Sequence, residues 1–379
     1  MSPTDMKISA LHGGDIVSAS RQFGVALDKW IDLSTGLNPD AFPSGDVPAA
    51  VYRQLPYLQP DFLAVTASYY GSDKFIPLIG SQMLIQNLPH CVARHPVLLP
   101  EVGYSEHRQS WQEANFEISS YPAFDLERAV EAIDSAIHSQ PQQHLVVINP
   151  NNPSGLLIDP QQLLHWAGQL GQGCYLIVDE AFIDIEPEKS VLAFDWPENM
   201  LVLRSFGKFF GLAGIRIGFA FCSGPLQEKI QQQLGLWMIN GPAQYLAAKA
   251  MSDTAWQSAA REQIEAASVI SQQLFLPLIK RIHSVVEAAI EQGALVQSEP
   301  LCSAHWQVHQ SLFSSYKMPL SIGLQVQQHF ARNGILLRVI ELPEPDALAR
   351  VCLLRIGILP IDNHSYHQRV SDCVDSCLV

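Results

Sequence analysis

The sequence predicts an α/β protein: a large domain on a mostly parallel sheet covered on both faces, and a smaller α/β domain. Two observations carry this. From about Phe62 to Gln272, short apolar runs alternate with stretches of helical spacing, which is how a sheet buried between helices reads. The chain has 379 residues, is 47% hydrophobic and only 16% charged. That is enough apolar material for a sizeable core, argues against disorder, and suits about two domains of roughly 150 residues each.

The elements follow in order. Residues 1–60 are rich in turn signals, with His12-Gly13-Gly14, Thr35-Gly36, Asn38-Pro39 and prolines at 43, 48, 56 and 60. Punctuation that dense predicts an arm lent to the small domain and the functional site. A large domain is expected over 61–280. In it Val97-Leu98-Leu99, Leu145-Val146-Val147-Ile148, Tyr175-Leu176-Ile177-Val178 and Leu201-Val202-Leu203 read as buried strands. Leu126, Val130, Ile133 and Ile137, then Leu163, Leu164 and Trp166, mark helices between them. The small domain, 281–379, mixes helices with strands over Leu336 to Ile340 and Val351 to Ile356.

Composition excludes several classes of function. Lys plus Arg number 23 against 37 Asp plus Glu, a formal net charge of −14. Such a chain has no general attraction to nucleic acid or an anionic membrane, and neither partner is expected. Any anionic ligand must be held by a few placed arginines and backbone amides. Seven scattered cysteines without a C-x-x-C pair suit a reduced cytosol, with neither a disulfide framework nor a metal site. The first residues lack a basic region followed by an apolar core, so no secretory signal is expected. The longest apolar stretch, Phe209 to Cys222, is too short to span a bilayer and carries Arg216. A soluble cytoplasmic protein is the expectation.

Each buried strand runs straight into an unusual segment. These are Pro100-Glu101-Val102-Gly103-Tyr104, Asn149-Pro150-Asn151-Asn152-Pro153-Ser154-Gly155, Asp179-Glu180-Ala181-Phe182 and Arg204-Ser205-Phe206-Gly207-Lys208. In open α/β sheets ligands sit beyond the carboxyl ends of the strands, where these four would converge.

Lys208 lies in an apolar, glycine-rich region. Lost hydration there lowers an amine's pKa and frees it for a Schiff base; a lone lysine commonly snorkels to solvent instead. Asp179 ends an apolar strand, where a carboxylate needs a partner such as a protonated pyridine nitrogen, or else caps the next helix. Asn152, in a proline-bracketed turn, is placed either to aim its amide at a phenolic oxygen or to form an ordinary Asx turn. Gly80-Ser81-Gln82 opens a helix over Met83 to Leu88, where free amides favour an anion. Ser205 and Arg216 flank Lys208 and suit a phosphate. Tyr104 is placed either to lie on an aromatic ligand or in the core. Arg338 and Arg355 interrupt apolar strands, and each needs an anion: a bound carboxylate or phosphate, or a structural acid.

Together, Gly-Ser-Gln, Tyr104, Asn-Pro-x-Asn-Pro-Ser-Gly, Asp-Glu-Ala-Phe, Ser-x-x-Lys, an Arg eight residues on and a late Arg resemble the fold-type I pyridoxal-phosphate enzymes, and within them the class I/II aminotransferase superfamily. The resemblance runs from about residue 12 to residue 357. It implies pyridoxal 5'-phosphate as cofactor, with Lys208 as its covalent partner and proton-shuttling base. Asp179 would meet the ring nitrogen, Asn152 the phenolic oxygen, Tyr104 the ring face, and Ser81, Gln82, Ser205 and Arg216 the phosphate. Phe182 stands where the family often has Tyr. Leu55-Pro56 stands where many relatives have Tyr-Pro reaching the partner's cofactor, and Tyr57 is the candidate substitute.

Within the superfamily, His12-Gly13-Gly14-Asp15-Ile16, Leu33-Ser34-Thr35-Gly36-Leu37-Asn38-Pro39 and the run Arg204 to Gly214 look most like the branch of histidinol-phosphate aminotransferases and cobalamin-pathway threonine-phosphate decarboxylases, closest to the latter. That implies decarboxylation of L-threonine O-3-phosphate to (R)-1-amino-2-propanol O-2-phosphate, with His12, Asn38, Arg338 and Arg355 toward the phosphorylated amino-acid substrate, in a homodimer. A histidinol-phosphate-type aminotransferase using 2-oxoglutarate is the alternative. A dinucleotide-binding protein would need G-x-G-x-x-G after its first strand; Gly211-Leu212-Ala213-Gly214 is misspaced and late.

Overall fold

In a computed structural model, the structure describes residues 13–292, 307–343 and 350–378. The first elements are α1 (Ile16–Phe23), β1 (Ile31–Asp32), α2 (Ala49–Arg53), α3 (Pro60–Tyr70), β2 (Phe75–Leu78) and α4 (Ser81–Asn87). Then come β3 (Val97–Pro100), α5 (Ser105–Glu113), β4 (Ile118–Tyr121), α6 (Leu126–Ser139), β5 (His144–Ile148) and α7 (Pro160–Gln169). β6 (Leu176–Asp179), β7 (Met200–Ser205), β8 (Gly218–Phe221), α8 (Gly224–Gln233), α9 (Gly241–Ser252) and α10 (Thr254–Glu291) follow. The last strands are β9 (Gln307–Gln310), β10 (Phe313–Pro319), β11 (Ile335–Leu336), β12 (Arg338–Glu341) and β13 (Val351–Gly357), with helices Leu320–Arg332 and His364–Ser376. The chain divides into two compact units: Asp40–Arg261, and the described residues of Met1–Pro39 with Glu262–Val379.

The Asp40–Arg261 unit is built on a seven-stranded sheet in the order β2-β8-β7-β6-β5-β3-β4. β7, β6, β5, β3 and β4 run parallel, whereas β8 is antiparallel to both β7 and β2. Every residue of β3, β5 and β6 is buried, the signature of strands covered on both faces. The helices start where chain chemistry tells them to. Asp125 accepts from the Arg128 N–H at 2.9 Å, and α6 then buries Ala129, Ile133 and Ile137 at helical spacing. Asp159 caps α7 with Pro160 directly after it, and this helix buries Leu163, Trp166 and Ala167. On one side of the sheet Leu84, Ile85, Trp111, Leu99, Val146, Ile177 and Leu201 form a continuous core.

In the other unit β12, β13, β10 and β9 form an antiparallel sheet, and β1 pairs with β11 in parallel. Its core joins Phe275, Leu278 and Ile282 of α10 to Val326, Phe330, Leu354 and Ile356. The strand expected over Leu336 to Ile340 is two strands. Ile335 and Leu336 pair with β1, while Arg338 to Glu341 pair with β13, so the ladder changes partner at Leu337. Among the described residues no helix is long and apolar enough to cross a membrane. The six described cysteines are buried, with free thiols.

Candidate active site

The parallel strands bring their carboxyl ends to one edge of the sheet. A cavity of about 150 Å³ there is lined by Ser81, Gln82, Tyr104, Asn152, Asp179, Ser205, Lys208 and Arg216. These residues span 136 positions of sequence, from 81 to 216, yet share one small space. A larger cavity of the same unit, about 1010 Å³ and lined by Val51, Leu55, Tyr57, Phe62 and Tyr245, contains none of them. Tyr57 is exposed and meets Trp237 edge to face at 6.0 Å.

Asp179 closes β6 and is 3% exposed. Its Oδ1 accepts from the Ala181 N–H at 3.1 Å, and its Oδ2 lies 2.9 Å from His107 Nε2. His107 was not singled out by sequence reasoning. The available signal was its place three residues after Tyr104 at the start of a helix, one turn along the same face.

Asn152 is aimed by a turn that satisfies its own backbone. Asn149 exchanges two side-chain hydrogen bonds with the main chain of Ile158, at 2.8 and 3.0 Å. Asn151 donates to the Val102 carbonyl at 3.0 Å. The Asn149–Pro150 and Asn152–Pro153 bonds are cis, and Gly155 has φ +71°.

Lys208 follows β7 in a loop packed around stacked Phe206 and Phe210, whose centroids are 4.2 Å apart. Gly207 permits the tight return: a Cβ there would lie 2.8 Å from Ala213 Cα. The Lys208 Nζ sits 5.3 Å from the centroid of Phe182.

Three further lining groups, Ser81, Ser205 and Arg216, lie on segments that approach each other closely. Arg216 adopts a left-handed φ of +59° and donates to the Ala213 carbonyl at 3.2 Å. Its guanidinium approaches Gly80 so closely that a Cβ on Gly80 would lie 2.7 Å from Nη2. Gly218 permits a second close approach, since its Cβ would lie 2.8 Å from the Ser81 backbone nitrogen. Ser81, Ser205 and Arg216 are thereby drawn together by two positions that admit only hydrogen.

The Gln82 side chain is already committed. Its Oε1 accepts from the Tyr104 hydroxyl at 2.7 Å, and its Nε2 donates to Glu106 at 2.6 Å. Burial, helped by the charges of Glu106 and Asp179, pushes the Tyr104 phenol up to about 12. It therefore stays protonated and keeps donating.

The remaining predicted residues lie in the other unit, save His12, which is outside the described residues. Arg338 and Arg355 are direct partners across β12 and β13. Arg355 is buried, donates to the Ser34 carbonyl and lies over the Phe313 ring at 5.7 Å. Burial, reinforced by the Arg338 charge and opposed by Asp32, pulls its guanidinium down to about 10. Asp32 accepts from the Ser34 N–H and hydroxyl at 2.8 and 2.6 Å. Asn38 is buried.

Residues 51–313 match the sequence model described as aminotransferase class I and II. The chain belongs to that family. Its cofactor is pyridoxal 5'-phosphate. The residues lining the cavity suit such a group: a buried carboxylate, an amine against an aromatic ring, and a cradle that a Cβ on Gly80 would fill. Among similar proteins, a threonine-phosphate decarboxylase of Pseudomonas aeruginosa is 34% identical over 358 residues, 94% of each chain. An adenosylcobalamin biosynthesis bifunctional protein of Leptospira interrogans is 24% identical over 67% of this chain and 31% of its own. A solved histidinol-phosphate aminotransferase from Sinorhizobium meliloti, in complex with pyridoxal-5'-phosphate, shares the fold with a TM-score of 0.70. It is 16% identical and covers 100% of this chain and 99% of its own.

Proposed function

We propose that this enzyme decarboxylates L-threonine O-3-phosphate to (R)-1-amino-2-propanol O-2-phosphate, a step of cobalamin biosynthesis. The observation that carries the reading is the 34% identity, along 94% of both chains, to a threonine-phosphate decarboxylase. Arg338 and Arg355, directly opposite each other across β12 and β13, support it, because the substrate has two anionic groups and this acidic chain has few cations to offer them.

Each residue then has a task. Lys208 Nζ is the covalent attachment point and the base. Asp179, held by His107 and the Ala181 N–H, would meet the ring nitrogen and favour its protonated form. Asn152 donates to the ring oxygen and Tyr104 covers the ring face. Ser81, Ser205 and Arg216 bind the phosphate, while Gln82 serves through its main chain and steadies Tyr104. When bound, the cofactor supplies an electron sink for the bond broken at Cα. Arg338, Arg355, Asn38 and His12 are the residues that would take the two anionic groups of the substrate, and the direction in which it is held would decide which bond at Cα breaks. Lys208 Nζ, or a bound water, would supply the proton that Cα needs once CO2 has left.

The deciding experiment is a single turnover with L-threonine O-3-phosphate and, separately, histidinol phosphate. Release of CO2 with the visible absorption band restored supports decarboxylation. Conversion of the cofactor to its amine form with histidinol phosphate supports the aminotransferase. Borohydride trapping and peptide mapping must label Lys208, and Lys208→Ala must lose the label and turnover, by roughly a thousandfold or more. We also propose a cytoplasmic homodimer. Exposed Tyr52, Leu55, Tyr57 and Leu58 support a covered surface, and light scattering on the purified protein tests it.

A further inference from the structure

Behind the cavity lies a charged cluster that the chemistry above does not use. Arg204, Glu180 and Asp184 have side chains only 2%, 0% and 1% exposed. Arg204 Nη1 donates to Glu180 Oε2 at 3.0 Å and to Ser190 Oγ at 2.9 Å, and Nη2 bonds Asp184 Oδ1. Glu180 also accepts from the Ser190 hydroxyl and, at 2.8 Å, from the Val191 N–H. The guanidinium lies over the Tyr70 ring at 4.9 Å.

The place of this cluster in the chain gives it meaning. Successive side chains on a strand point to opposite faces. Glu180 directly follows Asp179, and Arg204 directly precedes Ser205, so the two cavity residues and the two buried charges alternate across the sheet. The strand ends are neighbours: Asp179 registers with Leu203, and the Glu180 N–H donates to the Leu203 carbonyl at 2.9 Å. Between Glu180 and Val191 the chain makes a loop whose first residues, Ala181 and Phe182, line the cavity. The Arg204 fork holds that loop at Glu180, Asp184 and Ser190.

We propose that Arg204 is a positioning residue for the cofactor site: by locking Glu180, Asp184 and Ser190 it sets where Asp179, Phe182 and Ser205 stand. The inference rests on the reading that Asp179 and Ser205 hold the cofactor. Catalysis tolerates little displacement of such groups, and a fork of planar donors fixes direction as well as distance. Lysine at the same place would keep the charge and lose the fork.

The test uses holoenzyme of Arg204→Lys, Ser190→Ala and Asp179→Ala beside the unaltered protein. Three quantities are measured: the dissociation constant of pyridoxal phosphate, the pH midpoint of the visible absorption band, and the melting temperature. Arg204→Lys is expected to weaken cofactor binding at least tenfold and move the midpoint by at least half a pH unit, with Ser190→Ala showing the same changes at reduced size. A cofactor constant within twofold and an unmoved midpoint in both variants, whatever the melting temperature does, would make the cluster purely structural and overturn the proposal. If Arg204→Lys does not fold, Ser190→Ala decides by the same two readouts. An unchanged cofactor constant in Asp179→Ala overturns the site reading itself; a large loss there with none in the other two overturns only the role of Arg204.

Discussion

His107 and Asp179 form a buried pair, with imidazole Nε2 2.9 Å from carboxylate Oδ2 and side chains 2% and 4% exposed. The other carboxylate oxygen takes the Ala181 N–H. Asp179 therefore has both oxygens restrained by the protein itself, one from a helix and one from a turn; in the proposed role these two contacts would set its approach to a ring nitrogen. His107→Leu removes one restraint. A hydrogen bond to a charged group is worth about 1.5–3 kcal/mol, so cofactor affinity is expected to fall roughly 10- to 100-fold. Spectrophotometric titration measures this, and an unchanged dissociation constant would show that the Ala181 N–H suffices.

Gly80 tests the phosphate end. Its φ is +71°, and a Cβ would stand 2.7 Å from Arg216 Nη2. Gly80→Ala must strain the backbone and push the guanidinium aside. Affinity for pyridoxal phosphate is expected to drop roughly tenfold or more, by the same charged-contact magnitude. Affinity for pyridoxal, which lacks the phosphate, is expected to change little. Equal losses for both compounds would place Arg216 elsewhere.

Arg355 tests the substrate assignment. Arg355→Lys keeps a cation and loses the planar fork. The KM for L-threonine O-3-phosphate is expected to rise roughly tenfold or more, given the strength of charge-assisted contacts, with cofactor affinity unaffected. A normal KM would leave Arg355 a structural residue serving the Ser34 carbonyl.

His144 makes a prediction about stability against pH. The buried ring accepts from the Tyr175 N–H at Nδ1, lies 2.9 Å from the Ala93 carbonyl at Nε2, and stacks near Trp111 and Tyr175. Burial pushes its pKa from 6.5 down to about 4, with the Ala93 carbonyl opposing and the nearby His95 charge assisting. The unfolded chain thus binds a proton that the folded one refuses. This stability is complete above pH 6.5 and is lost as pH falls toward 4, at up to about 1.4 kcal/mol per pH unit. Urea unfolding between pH 7 and 4.5 should show this slope in the unaltered protein and a shallower one in His144→Gln. Parallel slopes would refute it.

Much of this protein is legible in one dimension. The strands β3, β5, β6 and β7 announce themselves because burial on both faces demands uninterrupted apolar runs. The residues that end them stand out because Asp, Asn and Lys are costly beside such runs unless they have work to do. What the order of residues does not show depends on partners far along the chain. His107 matters through Asp179, 72 positions later. Glu180 reads as part of a motif, but its bond to Arg204 spans 24 residues. The change of ladder partner at Leu337 carries no turn signal, because no Gly or Pro separates Ile335-Leu336 from Arg338 to Glu341 and the partners are set by remote strands.

Side-chain chemistry and hydrophobic spacing are properties of neighbours in sequence, so strand identity, the lysine and its acidic and amide companions could be named from the string of letters. Distances between remote segments are properties of packing. The approach of Arg216 to Gly80, the restraint of Asp179 by His107 and the capture of Gln82 by Tyr104 and Glu106 exist only once the sheet has brought its strand ends together.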